Sequence, residues 1–365
     1  MLAIRQGRII IYRLFDVADE IDLSLVEEKV KQGAKRMRIS RHHFMKALEF
    51  TDPPVSFELP GFSLRLFDRD ITVQIIAKAF DFGVISLSFN VPLPEGTTFS
   101  DLERVAQSLD TDETIDEKAW EDVRQLVSNL DDAVKLTSIK EDYTEDYMIV
   151  VVQELQQEMN ASDFLSRYDL SRLLLFETRE VSKQAREEAL KHRFSYYPED
   201  LVIVHYDNAF VIEPSDSSDV FDILEFANAQ ILELRYYDHV LDKQLAWIYR
   251  ELSRRRVVSA FRVRDYEKLA KRVTEIVTEL TEVTEKVDNA LKVTEDVYYA
   301  RIYRAAMTLF RSSDWEQSIK EKLQVVTNTA KMIYDEISTK RGHLLELGII
   351  ILIVIEIVIL LVIEW

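Results

Sequence analysis

Residues 347–363 read LGIIILIVIEIVILLVI, seventeen residues carrying a single charge, Glu356. As a helix rising ~1.5 Å per residue, this run covers about 26 Å, close to the roughly 30 Å hydrocarbon core of a bilayer. Ile, Val and Leu occupy every side of that helix, so it has no polar face to turn toward water, as a core helix at a protein surface would. Only Glu364 and Trp365 follow in the sequence. The reading is one membrane-spanning helix acting as a tail anchor over residues 344–365, with Glu356 inside the span. A carboxylate at that depth is costly and ordinarily faces a partner helix or water. We therefore expect Glu356 to contact its counterpart in a homo-oligomer.

Upstream of the span, apolar residues alternate at spacings of three and four. Leu323, Val326, Ala330, Ile333, Ile337, Leu344 and Leu347 form one such seam, broken only by Lys340. Leu269, Val273, Ile276, Leu280, Val283, Val287, Ala290 and Val297 form another, and Ser312-Ser313-Asp314 lies between the two as a turn and helix cap. Two heptad runs joined by a short turn predict an antiparallel helical hairpin, with Thr281–Phe310 alongside the helix that enters the membrane. Before the first seam, residues 254–272 hold eight basic and two acidic residues. That hairpin register brings Arg254, Arg255, Arg256, Arg262, Arg264 and Lys268 to the level of Lys340 and Arg341. Such a collar would contact anionic lipid headgroups at about 1 kcal/mol per residue. By the positive-inside rule it places the N-terminal body on the cytoplasmic side of the cell membrane.

The N-terminal body repeats one order of elements. Ile9–Phe15 reads as a strand and Leu23–Gln32 as a helix. Pro53-Pro54 and Pro60-Gly61 read as a loop, and two apolar runs flank Asp81-Phe82-Gly83 as a hairpin. A helix opens at Ser100. Met148–Leu155, the helical stretch 162–190, the hairpin about Tyr206-Asp207-Asn208 and a helix from Asp219 then repeat the same order. The expected fold class is α+β: tandem ferredoxin-like βαββα modules, a long antiparallel helical hairpin and one C-terminal transmembrane helix. The expected segments are a first module (1–111), an acidic helical connector (112–146), a second module (147–253), the basic collar and hairpin (254–343), and the anchor (344–365).

The net charge of −19 argues against a general nucleic-acid binder, because phosphate contacts need clustered Lys and Arg. With no cysteine, disulfides, thiolate nucleophiles and Cys-ligated metals are excluded. Residues 110–146 hold thirteen acidic and four basic residues, and Asp110, Asp112, Asp116 and Glu121 fall at positions 1, 3, 7 and 12 of a calcium loop. Position 6, which needs glycine for its sharp turn, is Ile115, so that match fails. The seven glycines form no phosphate-cradling motif, and His192, His205 and His239 are spread over separate elements. Arg193-Phe194-Ser195-Tyr196-Tyr197 reads as an aromatic core edge in preference to a base-binding strip. No cofactor, metal or catalytic residue is expected.

Several of these segments resemble a known family. The strand Ile9–Phe15 with Asp22-Leu23, Phe80-Asp81-Phe82-Gly83-Val84, and Leu345-Glu346-Leu347-Gly348-Ile349 with Ile355-Glu356-Ile357-Val358 are similar to the "required for meiotic nuclear division" (Rmd-type) family. The resemblance covers the order of elements over most of the chain, through short matches that are not catalytic signatures. It implies a single-span membrane protein with an α+β body on the matrix or cytoplasmic side. Mitochondrial members sit on the inner membrane, oligomerise and support translation. MLAIRQGRIIIYRLF is no presequence, so the chain looks more like a prokaryotic relative. The resulting expectation is a membrane-anchored, homo-oligomeric scaffold or adaptor for an unknown protein partner. The alternative is a nucleotide- or small-ligand-binding regulator or enzyme with its site between the two modules.

Overall fold

The computed structural model describes residues 3–31, 38–39, 48–49, 53–67, 69–135, 139–215, 217–256, 267–278, 281, 292–293 and 296–363. It divides into two compact units: Met1–Leu234 with Lys286–Ser313, and Arg235–Glu285 with Asp314–Trp365. The first α+β segment, the acidic connector and residues 147–234 of the second segment fall in the first unit, while residues 235–253 fall in the second.

The first unit is built on β1 (Ala3–Asp16). Its IIIY run, Ile9–Tyr12, does not alternate because all four side chains are buried, two on each face of the sheet. After β1 come β2 (Glu20–Ile21), α1 (Leu23–Lys31), β3 (Arg38–Ile39), β4 (Leu48–Glu49), β5 (Val55–Leu66), β6 (Arg69–Ala79) and β7 (Val84–Pro92). Next are β8 (Thr97–Thr98), α2 (Phe99–Asp110), α3 (Glu113–Leu130), β9 (Val134–Lys135) and β10 (Thr144–Leu155). The unit continues with α4 (Ala161–Arg167), α5 (Ser171–Leu174), α6 (Lys183–Ala189), β11 (Arg193–Phe194), β12 (Leu201–Val204) and β13 (Asn208–Ile212).

Ten of these strands form one sheet in the order β11-β12-β13-β10-β1-β7-β6-β5-β3, with β8 paired to the start of β1. The two halves therefore share a sheet, joined by the antiparallel ladder of β1 with β10 that runs from Ile4↔Leu155 to Phe15↔Thr144. In the second half β10 lies parallel to β13, as a split βαβ unit requires. In the first half β1 meets β7 antiparallel. The cause is β5, a strand in the segment that the prolines mark as a loop. An added hairpin strand reverses the direction of each later strand, so β5, β6 and β7 return as a meander. Pro60-Gly61 sits where the β5–β6 register shifts between Leu59 and Phe62, a bulge that tolerates the missing proline N–H.

One face of the sheet carries Ile9, Ile11, Phe15, Leu87 and Phe89 against Leu102, Val105, Val123 and Leu126 of α2 and α3. The cap of α2 lies at Thr98, two residues earlier than Ser100. Its hydroxyl accepts from Asp101 N while the Asp101 carboxylate accepts from Thr98 N.

The remaining helices are α7 (Asp219–Arg256), α8 (residues 267–278), α9 (Val297–Leu309) and α10 (Ser312–Ile363), with β14 (Lys292–Val293) before α9. Here the expected hairpin needs correction, because Thr281–Phe310 is not one helix. β14 pairs with β4, and Asp296 caps α9, which belongs to the first unit and buries Ile302, Tyr303 and Ala306 there. Val297, expected on the seam, is 73% exposed, while Leu280, Val283, Val287 and Ala290 lie outside the described residues. Heptad spacing identifies a helix with an apolar stripe; it does not say which neighbour that stripe meets.

Candidate functional site

The second unit is where the helix entering the apolar run meets its neighbours. Lys322 on α10 donates to the Asp238 carboxylate at 2.8 Å and pairs with Asp242 at 2.7 Å, and Ser318 donates to Asp238 at 2.6 Å. Contacts at 238/318 and 242/322 set this part of α7 beside α10 in the same direction. The Thr274 and Tyr334 hydroxyls meet at 3.3 Å, and Arg341 pairs with Glu267, so α8 runs antiparallel to α10. The partner of α10 at the level of Arg341 is therefore the start of α8. Leu241, Ile248, Leu269, Val273, Ile276, Ile319, Val326, Ile333 and Ile337 are buried. Leu344 and Leu347 continue the sequence seam, yet both are exposed.

From Arg341 through Ile359 every residue of α10 is exposed. This is the one helix among the described residues long and apolar enough to cross a membrane, with a mean hydropathy of 2.5 in its most apolar window. Glu356 lies in that exposed run. Of the basic residues singled out by sequence, Lys268 and Arg341 come to the same end of the unit through the Glu267–Arg341 pair. Lys340 turns back to Glu336 at 3.5 Å. Arg254, Arg255 and Arg256 form the last turn of α7, with side chains outside the described residues, and Arg262 and Arg264 lie outside them altogether.

In the first unit, sequence reasoning missed a buried ionic cluster. Lys78 of β6 donates to Asp222 at 2.7 Å and to Glu225, both on the first turns of α7. Burial opposes the ammonium charge, but the two carboxylates outweigh it and raise the Lys78 pKa. Burial also pushes the Glu225 carboxyl up, against the pull of Lys78. The available signal was Lys78 itself, a cation inside the apolar run ITVQIIAKAF. A second such pair joins Asp16, fully buried at the end of β1, to Lys140, which reaches both carboxylate oxygens at 2.8 Å. Burial outweighs that ammonium and lifts the Asp16 carboxyl to about 6.

Two of the carboxylates at calcium-loop spacing are already engaged. Asp112 caps α3 by accepting from Thr114 N at 2.8 Å, and Asp116 accepts from Arg13 Nε at 2.7 Å. Among the described residues no three His, Cys, Asp or Glu side chains are arranged to hold a metal ion. Burial lowers the His205 pKa, and His192 adds to that shift, so the fold brings these two histidines near each other. Tyr196 and Tyr197, expected at a core edge, are 64% and 59% exposed. Asp200 accepts from both of their backbone N–H groups, which holds the turn outward.

Residues 6–219 match the model of a family described as "Uncharacterized protein MJ0711, N-terminal domain". The chain belongs to that family. The matched region takes in nearly all of the ten-stranded sheet and ends at the first residue of α7. An archaeal relative, "Uncharacterized protein MJ0711" of Methanocaldococcus jannaschii, is 26% identical over 192 residues. That alignment covers 52% of this chain and 58% of the relative, so the chain spans less than two thirds of the archaeal protein. No solved structure matches.

Proposed function

We propose that this protein is a membrane-anchored, homo-oligomeric scaffold or adaptor that presents its α+β unit to protein partners on the cytoplasmic face of the cell membrane. One observation carries the reading. Helix α10 passes without a break from a buried stripe, Ile319 to Ile337, into an apolar run exposed on every side. Leaving so much aliphatic surface in water is unfavourable at about 25 cal/mol per Å2, and a lipid or a second copy would remove that cost. The resemblance to the Rmd-type family points the same way. Lys268 and Arg341, with the arginines of residues 254–264, would meet anionic headgroups and set the orientation. Glu356 would contact its counterpart in a neighbouring copy.

The rival reading, a ligand site between two α+β modules, is disfavoured because β1 and β10 join the halves by a ladder unbroken from Gly7↔Val152 to Phe15↔Thr144. Native mass spectrometry of the detergent-purified full-length protein tests the scaffold. The expected result is a discrete homo-oligomer carrying a co-purified protein, with Glu356→Ala reducing its subunit number. A monomer holding a stoichiometric small molecule overturns it.

A further inference from the structure

Four tyrosines form a row on the first unit. Tyr197 meets Tyr196 edge-on at 4.9 Å between ring centroids, Tyr196 meets Tyr298 at 5.4 Å, and Tyr298 meets Tyr299 at 5.3 Å. The row is built from two separate chain segments, the turn after β11 and the first turn of α9. Both are held in place. The Asp200 carboxylate accepts from Tyr196 N at 2.7 Å and Tyr197 N at 3.0 Å, and Ser195 Oγ donates to Tyr197 O at 2.6 Å. On the other side Asp296 caps α9 through Tyr298 N, and Tyr299 Oη donates to Asp219 at 3.2 Å. The rings are thus preorganised; Tyr196 and Tyr197 stand well out of the surface, while Tyr298 and Tyr299 are half-buried. Aromatic faces held in water at fixed positions need an occupant that gains from them.

The surrounding charge selects that occupant. Besides burial, Asp200 and Glu213 raise the Tyr298 pKa while Arg301 lowers it, and Asp219 helps lift that of Tyr299 to about 12, so three carboxylates against one guanidinium bear on the row. An anion would meet both their field and the negative faces of the rings. A groove of about 400 Å3, lined by Lys183, Arg186, Glu187, Leu190, Lys191 and Arg193, carries one acid of its own, and three of its four cations are already paired. Its Lys183 is paired with Glu187, Arg186 with Asp169 and Glu180, and Lys191 with Glu188. A cation gains from both the carboxylates and the ring faces. The same surface already holds one guanidinium over a ring, Arg301 at 5.6 Å from the Phe194 centroid. A planar guanidinium also stacks on an aromatic face better than an ammonium does. We infer that the row Tyr197–Tyr196–Tyr298–Tyr299 is a docking surface for an arginine-bearing segment of a partner protein.

The test uses the full-length protein in detergent and a fluorescently labelled peptide with three arginines spaced by Gly and Ser, read by anisotropy. Matched peptides with lysine or glutamate replacing arginine, and a labelled oligouridine, serve as competitors. Because the whole chain is acidic, charge alone attracts any cationic peptide. The decisive variants therefore change no charge: Tyr196→Ala with Tyr197→Ala, and Tyr196→Leu with Tyr197→Leu. The expected result is about tenfold weaker binding of the arginine peptide in both pairs, with lysine binding less well than arginine throughout. Affinity unchanged in the alanine pair, or retained in the leucine pair, overturns the inference in favour of plain charge or plain apolar contact. Stronger competition by oligouridine or by the glutamate peptide overturns it as well. Both rings project into solvent, so unchanged far-ultraviolet dichroism is expected for all variants.

Discussion

Replacing Lys78 by Met keeps the length and apolar stem of the side chain and removes its charge, leaving Asp222 and Glu225 without their shared cation. Asp222 is partly exposed and can hydrate, whereas the Glu225 side chain is 4% exposed. Burial raises the pKa of a carboxyl with no cation beside it, so Glu225 can escape the cost of a buried charge by taking up a proton. The cost of the variant is then bounded by the cost of protonating Glu225. From its ordinary value of 4.5 to pH 7, at about 1.36 kcal/mol per unit, this is about 3.4 kcal/mol. At pH 5 the same step costs about 0.7 kcal/mol. Urea unfolding of the full-length protein in micelles, followed by near-ultraviolet dichroism, should therefore show Lys78→Met destabilised by about 3 kcal/mol at pH 7 and by less than about 1 kcal/mol at pH 5. Adding Glu225→Gln removes the uncompensated charge, so the double variant should recover at least about 2 kcal/mol at pH 7. A loss under about 1 kcal/mol at pH 7, a loss equal at both pH values, or additive single variants would refute the reasoning.

Asp16 gives a pH dependence of its own. Its native pKa of about 6 exceeds the ordinary 3.8, so the folded chain takes up a proton before the unfolded one does. The wild type should therefore gain about 1.3 kcal/mol over Asp16→Asn on going from pH 7 to pH 5, in unfolding curves measured at both. The opposite trend would mean that Lys140, not burial, governs the site. Gly83 closes the β6–β7 hairpin at φ +101, and an added Cβ would lie 2.0 Å from Ala18 O. Gly83→Ala should cost about 2–4 kcal/mol in the same unfolding assay, and a neutral substitution would show that the turn relaxes freely. Lys268→Glu with Arg341→Glu should reduce sedimentation of the full-length protein's detergent-free fraction with anionic vesicles but not with neutral ones. Equal loss on both vesicle types would assign these residues to folding.

How much the residues disclosed depended on how local each signal is. The hairpin at Asp81-Phe82-Gly83 was legible because a single positive-φ glycine between two apolar runs has few other uses. The long apolar C-terminal helix was legible because its run of Ile, Val and Leu, seventeen residues with one charge, has no polar face. β5 was hidden because Pro60-Gly61 punctuates it, and only the bulge opposite Val73 shows why a strand survives there. The partner of α10 was hidden for a different reason. The heptads at 269–297 and 323–347 are equally good seams, and choosing between them depends on Asp296, which starts a new helix and sends α9 to the first unit. A cap is a one-residue signal competing with a repeat eight residues strong, and here the cap prevails. The Lys78 and Asp16 clusters lie at the far end of that scale. Lys78 meets Glu225 across 147 positions and Asp16 meets Lys140 across 124, so no window on the sequence contains both partners. Each buried charge is visible alone as an anomaly in an apolar run, and an anomaly of that kind predicts a partner without naming it. Tyr196 and Tyr197 reverse the usual inference. Their aromatic character reads as core, and it is the Asp200 carboxylate, four and three residues later, that turns them outward. Where a buried acid spends both oxygens on holding two rings in water, the arrangement is costly unless something binds to those rings, which is why the row, more than the sheet beneath it, is the place to look for a partner.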